Sequence, residues 1–77
     1  MKPSPGRYRL TTTAPYPATN AVVEVTDAAL RTTFGDFAWY EAGGCFVLGN
    51  MGVECTGTGT FIATWGNQNF AGTCVAL

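Results

Sequence analysis

Hydrophobic and polar side chains alternate along much of this chain with the two-residue period of a β-strand. The pattern is clearest in residues 52–77, where two β-rich runs flank a cluster of Gly, Asn and Gln. A turn with its tip at Asn67 and Gln68 would set Trp65 against Phe70 and would separate an aromatic, apolar face from a threonine-rich face. Because a shift by one residue would exchange the two faces, the pattern predicts a β-hairpin with a defined register.

A second hairpin is predicted in residues 37–50, with a tight turn at Ala42–Gly43 that sets Trp39 against Phe46. A turn at Met51–Gly52 then leads into the last hairpin. The two hairpins, derived separately, place their rings on one face of a single meander. The positions assigned to this inner face are Phe37, Trp39, Phe46, Leu48, Cys55, Phe61, Ala63, Trp65, Phe70 and Cys74.

The N-terminal third is less regular. Residues 1–6 contain two prolines and a glycine and show no periodicity, so they predict a flexible N-terminal arm. Residues 7–13 alternate and predict a first strand with Tyr8 on its inner face. The two prolines within residues 14–19 predict an extended loop, because proline cannot donate a ladder hydrogen bond. Residues 21–26 are rich in β-branched side chains and predict a second strand.

Residues 27–34 have two interpretations. One is a short helical turn that starts from a polar N-cap. The other is a strand that follows a turn at Asp27–Ala28, with Leu30 inside and Glu24 opposite Arg31 outside, an attractive cross-strand charge pair. The strand interpretation is favoured.

Together these elements predict an all-β fold, a small antiparallel meander of about six strands curled into a barrel or a two-layer sandwich. One short helical turn near residues 27–33 stays open as an alternative. Residues 7–77 would form a single small β domain, in which the N-terminal strands close the barrel or supply the second layer. Closure or self-association is required, because a lone meander leaves sheet edges unpaired.

Few charged side chains are available to cover the surface of this chain. Of its 77 residues, 47% are apolar and 12% are charged, against about 25% charged in an average soluble domain. We infer that part of the surface contacts other copies of the chain or a protein partner. The net charge of −1 disfavours a nucleic acid partner, and no apolar run has the length of a membrane helix. Without a signal peptide, the expected location is cytoplasmic.

Side chains suited to catalysis or metal binding are scarce. The chain has no histidine, which removes the commonest general base and metal ligand. Its five carboxylates are scattered over predicted turns and outer faces. Cys45, Cys55 and Cys74 lack the spacing of a zinc motif, and any two of them could pair in an oxidising environment. We therefore expect no enzymatic activity, no cofactor and no metal.

Apolar residues on the predicted outer faces are candidates for a contact surface. They are Tyr40, Val47, Ile62 and Val75. We expect a non-enzymatic protein-interaction module that forms a homo-oligomer or docks on a larger protein, through this surface or by strand addition at a sheet edge. In composition the chain resembles short accessory proteins of phages and mobile elements, which implies an accessory role; the likeness covers no motif.

The alternative function is a small-molecule-binding, sequestering β-barrel. Trp39, Trp65 and Phe46 are the candidates for its ligand pocket, because two indoles at a barrel mouth could hold a flat or polar metabolite. The same rings are also needed as core in a chain this short. The interaction module is therefore the favoured hypothesis.

Overall fold

The computed structural model describes residues 2–14 and 21–77, which form a closed barrel of eight antiparallel strands. The strands are β1 Gly6–Ala14, β2 Ala21–Val25, β3 Ala29–Thr32, β4 Gly35–Tyr40, β5 Cys45–Leu48, β6 Met51–Cys55, β7 Thr60–Trp65 and β8 Gln68–Ala76. The predicted all-β antiparallel fold is confirmed; of the two architectures predicted, the barrel is the one formed, with eight strands in place of about six. The loop predicted at 14–19 lies outside the described residues from residue 15 onward.

Each strand pairs with the next one along the chain, and β1 pairs with β8 to close the barrel. Of the two roles predicted for the N-terminal strands, they close the barrel and do not form a second layer. Closure gives each of these strands a neighbour on both sides. Strand addition, expected as one means of contact, therefore has no fully free strand edge to use.

The β2–β3 hairpin has the predicted register, and the helical alternative near residues 27–33 is wrong. Glu24 pairs with Arg31, and no described residue is helical. The Thr26 hydroxyl oxygen accepts the N–H group of Ala29 at 3.1 Å and that of Ala28 at 3.4 Å. These side-chain bonds satisfy the backbone within a turn, so they compete with a helix at this point.

The turn between β5 and β6 lies at Gly49–Asn50, and the prediction of a turn at Met51–Gly52 is wrong. Leu48 pairs with Met51 across the turn, and Gly49 has a φ of +60°. Glycine at the first of two central positions is typical of the hairpin turns that match strand twist. Met51 is therefore part of β6, and Val53, two residues further along this strand, is buried in the core.

The turn between β7 and β8 is also a Gly-Asn pair, Gly66–Asn67, where Gly66 has a φ of +59°. Trp65 therefore pairs with Gln68, and the predicted pairing of Trp65 with Phe70 is wrong by two residues. Because the shift is even, every side chain of the hairpin keeps its predicted face.

Side chains from around the barrel fill its interior, as expected for eight strands. The buried core consists of Val23, Val25, Leu30, Phe37, Phe46, Val53 and Phe61. Tyr8, Leu10, Trp39, Leu48, Met51, Ala63 and Cys74 pack against it. Trp65 is the exception among the predicted inner residues: its place next to the β7–β8 turn leaves it 59% exposed.

Gly72 is buried at the pairing of β8 with β1. A Cβ atom added to Gly72 would lie 1.9 Å from the carbonyl oxygen of Thr11 and 2.7 Å from a ring carbon of Phe61. The register of β1 against β8 shifts just beyond this point, between Thr12 and Ala14. The absent side chain at Gly72 therefore makes room for both the β1 backbone and the Phe61 ring.

Candidate functional site

Charged side chains are concentrated on one side of the outer surface. Four of them face one another across neighbouring strands and are called the charged row: Arg7 on β1, Glu24 on β2, Arg31 on β3 and Asp36 on β4. Arg31 lies 3.8 Å from a carboxylate oxygen of Glu24 and 3.8 Å from one of Asp36. Because these side chains are more than half exposed, each pair stabilises the fold by at most about 1 kcal/mol.

A shallow depression opens beside the charged row, between β2 and β3. Besides the charged row, its lining residues are Val22, Val23, Thr32 and Thr33. It forms because the pairing of β2 with β3 stops at Glu24 and Arg31, so the two strands separate beyond that point. The depression is open to water, so it does not enclose a small ligand.

Small uncharged residues face one another across β3 to β7 and are called the neutral row: Ala29, Ala38, Val47, Gly52 and Thr64. Gly52 has no side chain, and the Thr64 hydroxyl lies 3.1 Å from the position that a Cβ atom there would take. Small side chains along a row leave a flat surface that another protein can approach closely.

Three of the four predicted contact residues lie on or beside the neutral row. Val47 belongs to the row and is half-buried. Tyr40 follows Ala38 by two positions on β4, and Ile62 precedes Thr64 by two positions on β7. Tyr40 is 52% exposed and Ile62 is 44% exposed. The outer faces of β4, β5 and β7 thus bring the three apolar side chains onto one side of the barrel.

The Tyr40 ring is held across the turn that follows β4. A Cβ atom added to Gly43 would lie 2.7 Å from a Tyr40 ring carbon and 3.4 Å from the sulfur of Cys45. The ring therefore occupies the space that glycine leaves. A tyrosine held in this way loses little side-chain entropy on binding, which suits an interface anchor.

Val75, the fourth predicted contact residue, lies in a different place. It pairs with Arg9 on β1, and Arg9 pairs on its other side with Val22 on β2. Val75 and Val22 are both exposed and form a second, smaller apolar group on either side of Arg9. The structure therefore does not bring Val75 together with the other three candidates.

The three residues predicted to line a ligand pocket do not surround one cavity. Phe46 is 0% exposed, and Trp39 packs edge-on against it with ring centroids 5.0 Å apart. The Trp39 indole N–H donates to a carboxylate oxygen of Glu41 at 3.2 Å, and the Lys2 ammonium group lies 5.8 Å from the Trp39 ring centroid. Trp65 lies at the other end of the barrel, because the turns after β4 and β7 are at opposite ends of a meander.

A second shallow depression adjoins Trp65 at the tips of two hairpins. Its lining residues are Asn50, Trp65, Gly66, Asn67 and Gln68. The Gly66 N–H group donates to the carbonyl oxygen of Asn50 at 3.3 Å and holds the two turns together. The site presents an indole and several amide groups, which can contact a partner by stacking and hydrogen bonding.

Cys55 and Cys74 meet on the inner face, as the alternation of side chains predicted, whereas Cys45 lies on the outer face of β5. The sulfur atoms of Cys55 and Cys74 are 3.7 Å apart. Burial raises the pKa of the Cys55 thiol to about 12, and the neighbouring Cys74 and the carboxylate of Glu54 add to this shift. Within residues 2–14 and 21–77, no three Cys, Asp or Glu side chains converge as metal ligands.

Four of the exposed apolar side chains are not among the predicted contact residues: Val22 and Trp65, described above, and Phe34 and Leu77. Phe34 is 79% exposed in the β3–β4 turn, and Leu77 is exposed after β8. In that turn the Thr32 hydroxyl oxygen accepts a hydrogen bond from the Phe34 N–H group at 3.0 Å. The same hydroxyl group donates to the carbonyl oxygen of Gly35 at 2.9 Å. A threonine at the end of a strand, just before a two-residue turn, is the sequence signal for this arrangement, and Thr26 bonds to its own turn in a similar way.

Comparisons with models of protein families, with curated proteins and with solved structures find no significant match to this chain. Among the described residues there is no helix of the length and apolar character needed to cross a membrane. The surface features described above are therefore the basis for inferring a function.

Proposed function

We propose that this protein is a non-enzymatic interaction module that assembles with other copies of itself or docks on a larger protein. Its contact surface is the neutral row, with Tyr40 and Ile62 beside it. The observation that carries this proposal is the number of large apolar side chains outside a barrel whose interior is already filled. Those exposed to solvent are Val22, Phe34, Tyr40, Ile62, Trp65, Val75 and Leu77. Of these seven, Tyr40 and Ile62 belong to the proposed surface, whereas Val22, Val75 and Trp65 lie elsewhere on the barrel. An apolar patch that is exposed in this way usually marks a contact surface.

The distribution of charge supports the neutral row as the centre of the contact. On the outer positions of β5, β6 and β7, Glu54 is the single charged side chain, and it pairs across the strands with Ile62. Charged residues are depleted at the centre of protein interfaces and tolerated at the rim. The charged row would then lie at the edge of the buried area, with Tyr40 as an anchor. Glu54 lies within the surface, between the strands of Tyr40 and Ile62, so a partner must pair its carboxylate or leave it in water.

The alternative function, a small-molecule-binding barrel, has less support from these observations. A sequestering barrel needs a cavity inside the sheet, and the fully buried Phe46 occupies that position with Trp39 packed against it. The shallow depression beside Trp65 could contact a ligand but would leave most of its surface in water. The interaction module is therefore the function that we put to the test.

The test of self-assembly is sedimentation velocity on the native chain and on Tyr40→Glu across a range of concentrations. The native chain is expected to associate with increasing concentration. Tyr40→Glu is expected to raise the dissociation constant by about 30-fold or more, because a buried, unpaired carboxylate replaces an anchor side chain. The matched control is Thr73→Glu, which adds the same charge at an exposed outer position of β8. Equal effects of the two variants would contradict the assignment of the surface.

Docking on a larger protein is tested separately with a photo-crosslinking amino acid in place of Val47. A crosslink that forms from position 47, but not from position 73, is expected in the cell that makes the protein. Circular dichroism melting is the check that each variant keeps the fold.

A native chain that stays monomeric at about 1 mM, a concentration at which even weak association is detectable, would reject self-assembly. If position 47 also gave no specific crosslink, the proposed function would fail as a whole.

A further inference from the structure

We propose that Cys55 and Cys74 are a redox modification site, at which the two thiols form a reversible disulfide inside one end of the barrel. The site does not depend on the neutral row or on any partner. Three observations support it. They are the short distance between the two sulfur atoms, the open space beside the loop that follows Cys55, and the position of the third cysteine on the other face of the sheet.

The two sulfur atoms need only a small movement to bond. They lie 3.7 Å apart on the inner face, against about 2.0 Å in a disulfide. Cys55 is the last residue of β6, and Cys74 donates its N–H group to the carbonyl oxygen of Gly59, in the loop that follows β6. Both side chains are half-buried, so a small reagent can reach them from solvent.

The required movement falls on the Cys55 side chain and on the loop of residues 56–59 that follows it. Gly57 and Gly59 have φ values of +86° and +80°, and no atom lies within 4 Å of the position that a Cβ atom would take at Gly57. The Thr56 N–H group donates to the carbonyl oxygen of Thr60 at 3.1 Å and fixes one end of the loop, while the space beside Gly57 is open. Rotation of the Cys55 side chain, with a small adjustment of this loop, brings its sulfur to Cys74.

Cys45 is excluded from the pair by the pleat of the sheet. It pairs with Tyr40 on the outer side of β5, whereas Cys55 and Cys74 point inward. A sulfur on the outer face cannot reach the inner face without reversal of the strand. Of the three pairings that the sequence allows, the structure therefore favours Cys55 with Cys74.

The oxidant is a low-molecular-weight disulfide, and the reaction balances without a further reagent. The thiolate of one cysteine attacks a sulfur of the small disulfide, which forms a mixed disulfide and releases one small thiolate. The second cysteine, as a thiolate, then attacks the protein sulfur of the mixed disulfide and releases the other small thiolate. Each released thiolate takes up one of the protons lost by the cysteines. The two protein sulfurs are oxidised, and the two sulfurs of the small disulfide are reduced.

Proton loss controls the rate of this exchange. Because burial raises the pKa of the Cys55 thiol to about 12, little Cys55 thiolate is present near neutral pH. Closure of the disulfide is therefore expected to be slow at neutral pH and to become faster as the pH rises. Once formed, the bond would close a loop that contains β7 and the β7–β8 turn, which restricts the unfolded chain.

The test is incubation of the native chain with glutathione disulfide, followed by intact mass measurement and chymotryptic mapping. Chymotrypsin cleaves after Phe61 and Phe70, which separates Cys55 from Cys74 on different peptides. The expected product has lost two hydrogens, carries a Cys55–Cys74 link and melts higher by about 10 °C or more. Dithiothreitol is expected to reverse both changes. The matched control Cys45→Ser is expected to behave like the native chain, and Cys55→Ser is expected to form no internal disulfide.

Three results would overturn the proposal. The first is stable glutathione adducts on Cys55 and Cys74 without the link between them. The second is a link that includes Cys45. The third is an oxidised product that melts at the same temperature as the reduced chain or below it. Each of these measurements uses the native sequence, so the outcome does not depend on whether a cysteine variant folds.

Discussion

Two strand pairs in this barrel differ sharply in how they are held. β1 pairs with β8 from Tyr8 to Ala14, and the backbone there is in close contact with the core. β2 and β3 are adjacent in sequence but pair at only two positions before they separate. The pair that joins the two ends of the sheet is therefore longer than the pair formed by a local turn.

The two pairs also differ in chemistry. At the β1–β8 pair, buried Gly72 lies under the Thr11 backbone and the Phe61 ring, so the contact depends on shape. At the β2–β3 pair, exposed ion pairs of Arg31 with Glu24 and Asp36 lie beside an open depression. The barrel is therefore expected to be most sensitive to changes at the first pair and most tolerant at the second.

The largest expected effect comes from Gly72→Ala. The new Cβ atom would lie 1.9 Å from the Thr11 carbonyl oxygen, so β1 must move away from β8. We expect a loss of more than about 3 kcal/mol in the free energy of unfolding, measured by urea denaturation. The control is Gly52→Ala, whose Cβ atom would lie 3.1 Å from the rotatable Thr64 hydroxyl. That change is expected to stay within about 1 kcal/mol. Similar losses in both variants would contradict the inference that the close approach of the β1 backbone makes Gly72 sensitive.

Hydrogen exchange is expected to distinguish the two strand pairs directly. Amides that bond across β1 and β8 should exchange at least about tenfold more slowly than those that bond across β2 and β3, because the short pair can open without unfolding the barrel. The measurement is residue-resolved exchange by NMR on the native chain under reducing conditions. Equal protection of the two pairs would indicate that the barrel opens only as a whole.

Alkaline pH is expected to weaken the end of the barrel where Cys74 pairs with Leu10 of β1. The pKa of Cys55 is raised from 9.0 to about 12 in the folded chain, so the unfolded thiol loses its proton first. The free energy of unfolding must then fall as the pH rises from about 9 to about 12. We expect a fall of about 2 kcal/mol or less, reduced by solvent screening at a half-buried thiol.

The measurement for this prediction is urea denaturation at several alkaline pH values with a reductant present, for the native chain and for Cys55→Ala. The variant should lose stability less steeply with pH, because it lacks the shifted thiol. Identical pH slopes would show that other groups, such as the tyrosines, account for any alkaline loss.

The smallest expected effect concerns the charged row. A double-mutant cycle with Glu24→Gln and Arg31→Gln should give a coupling energy of about 0.5 kcal/mol, which decreases in high salt. Both side chains are exposed, so water screens the pair and their removal leaves no buried charge. A coupling above about 2 kcal/mol would mean that the β2–β3 pair depends on its charges far more than the geometry indicates.

Alternation along the strands was sufficient to predict the all-β fold and most of the inner face. The register errors at the β5–β6 and β7–β8 turns changed partners by an even number of residues, so Phe46 and Phe61 kept their predicted side. The β2–β3 register was predicted correctly because a local turn and an opposite-charge pair specify it together. An error in the position of a turn can therefore give the wrong cross-strand partners and still assign each side chain to the correct face of the sheet.

Other features depend on information that a single strand does not carry. The Gly-Asn pairs at 49–50 and 66–67 were visible turn signals, but neighbouring glycine and asparagine residues offered competing positions. The contact of Gly72 with Thr11 involves residues far apart in the sequence, so no local pattern reveals it. The exposure of Trp65 follows from its position beside a turn, which alternation does not encode. Shared direction predicted that Cys55 and Cys74 face inward, but only the closed barrel gives the distance between them.

The pairing of the first strand with the last also determines when this protein can fold. Tyr8 pairs with Ala76, so almost the whole described chain must be synthesised and must emerge from the ribosome before the sheet can close. Until then the nascent hairpins expose the valine and phenylalanine side chains that later become the core. Long-range pairing of this kind slows folding and prolongs exposure to aggregation. For this chain, the interval between the synthesis of β1 and the release of β8 is the period in which a chaperone would have most to protect.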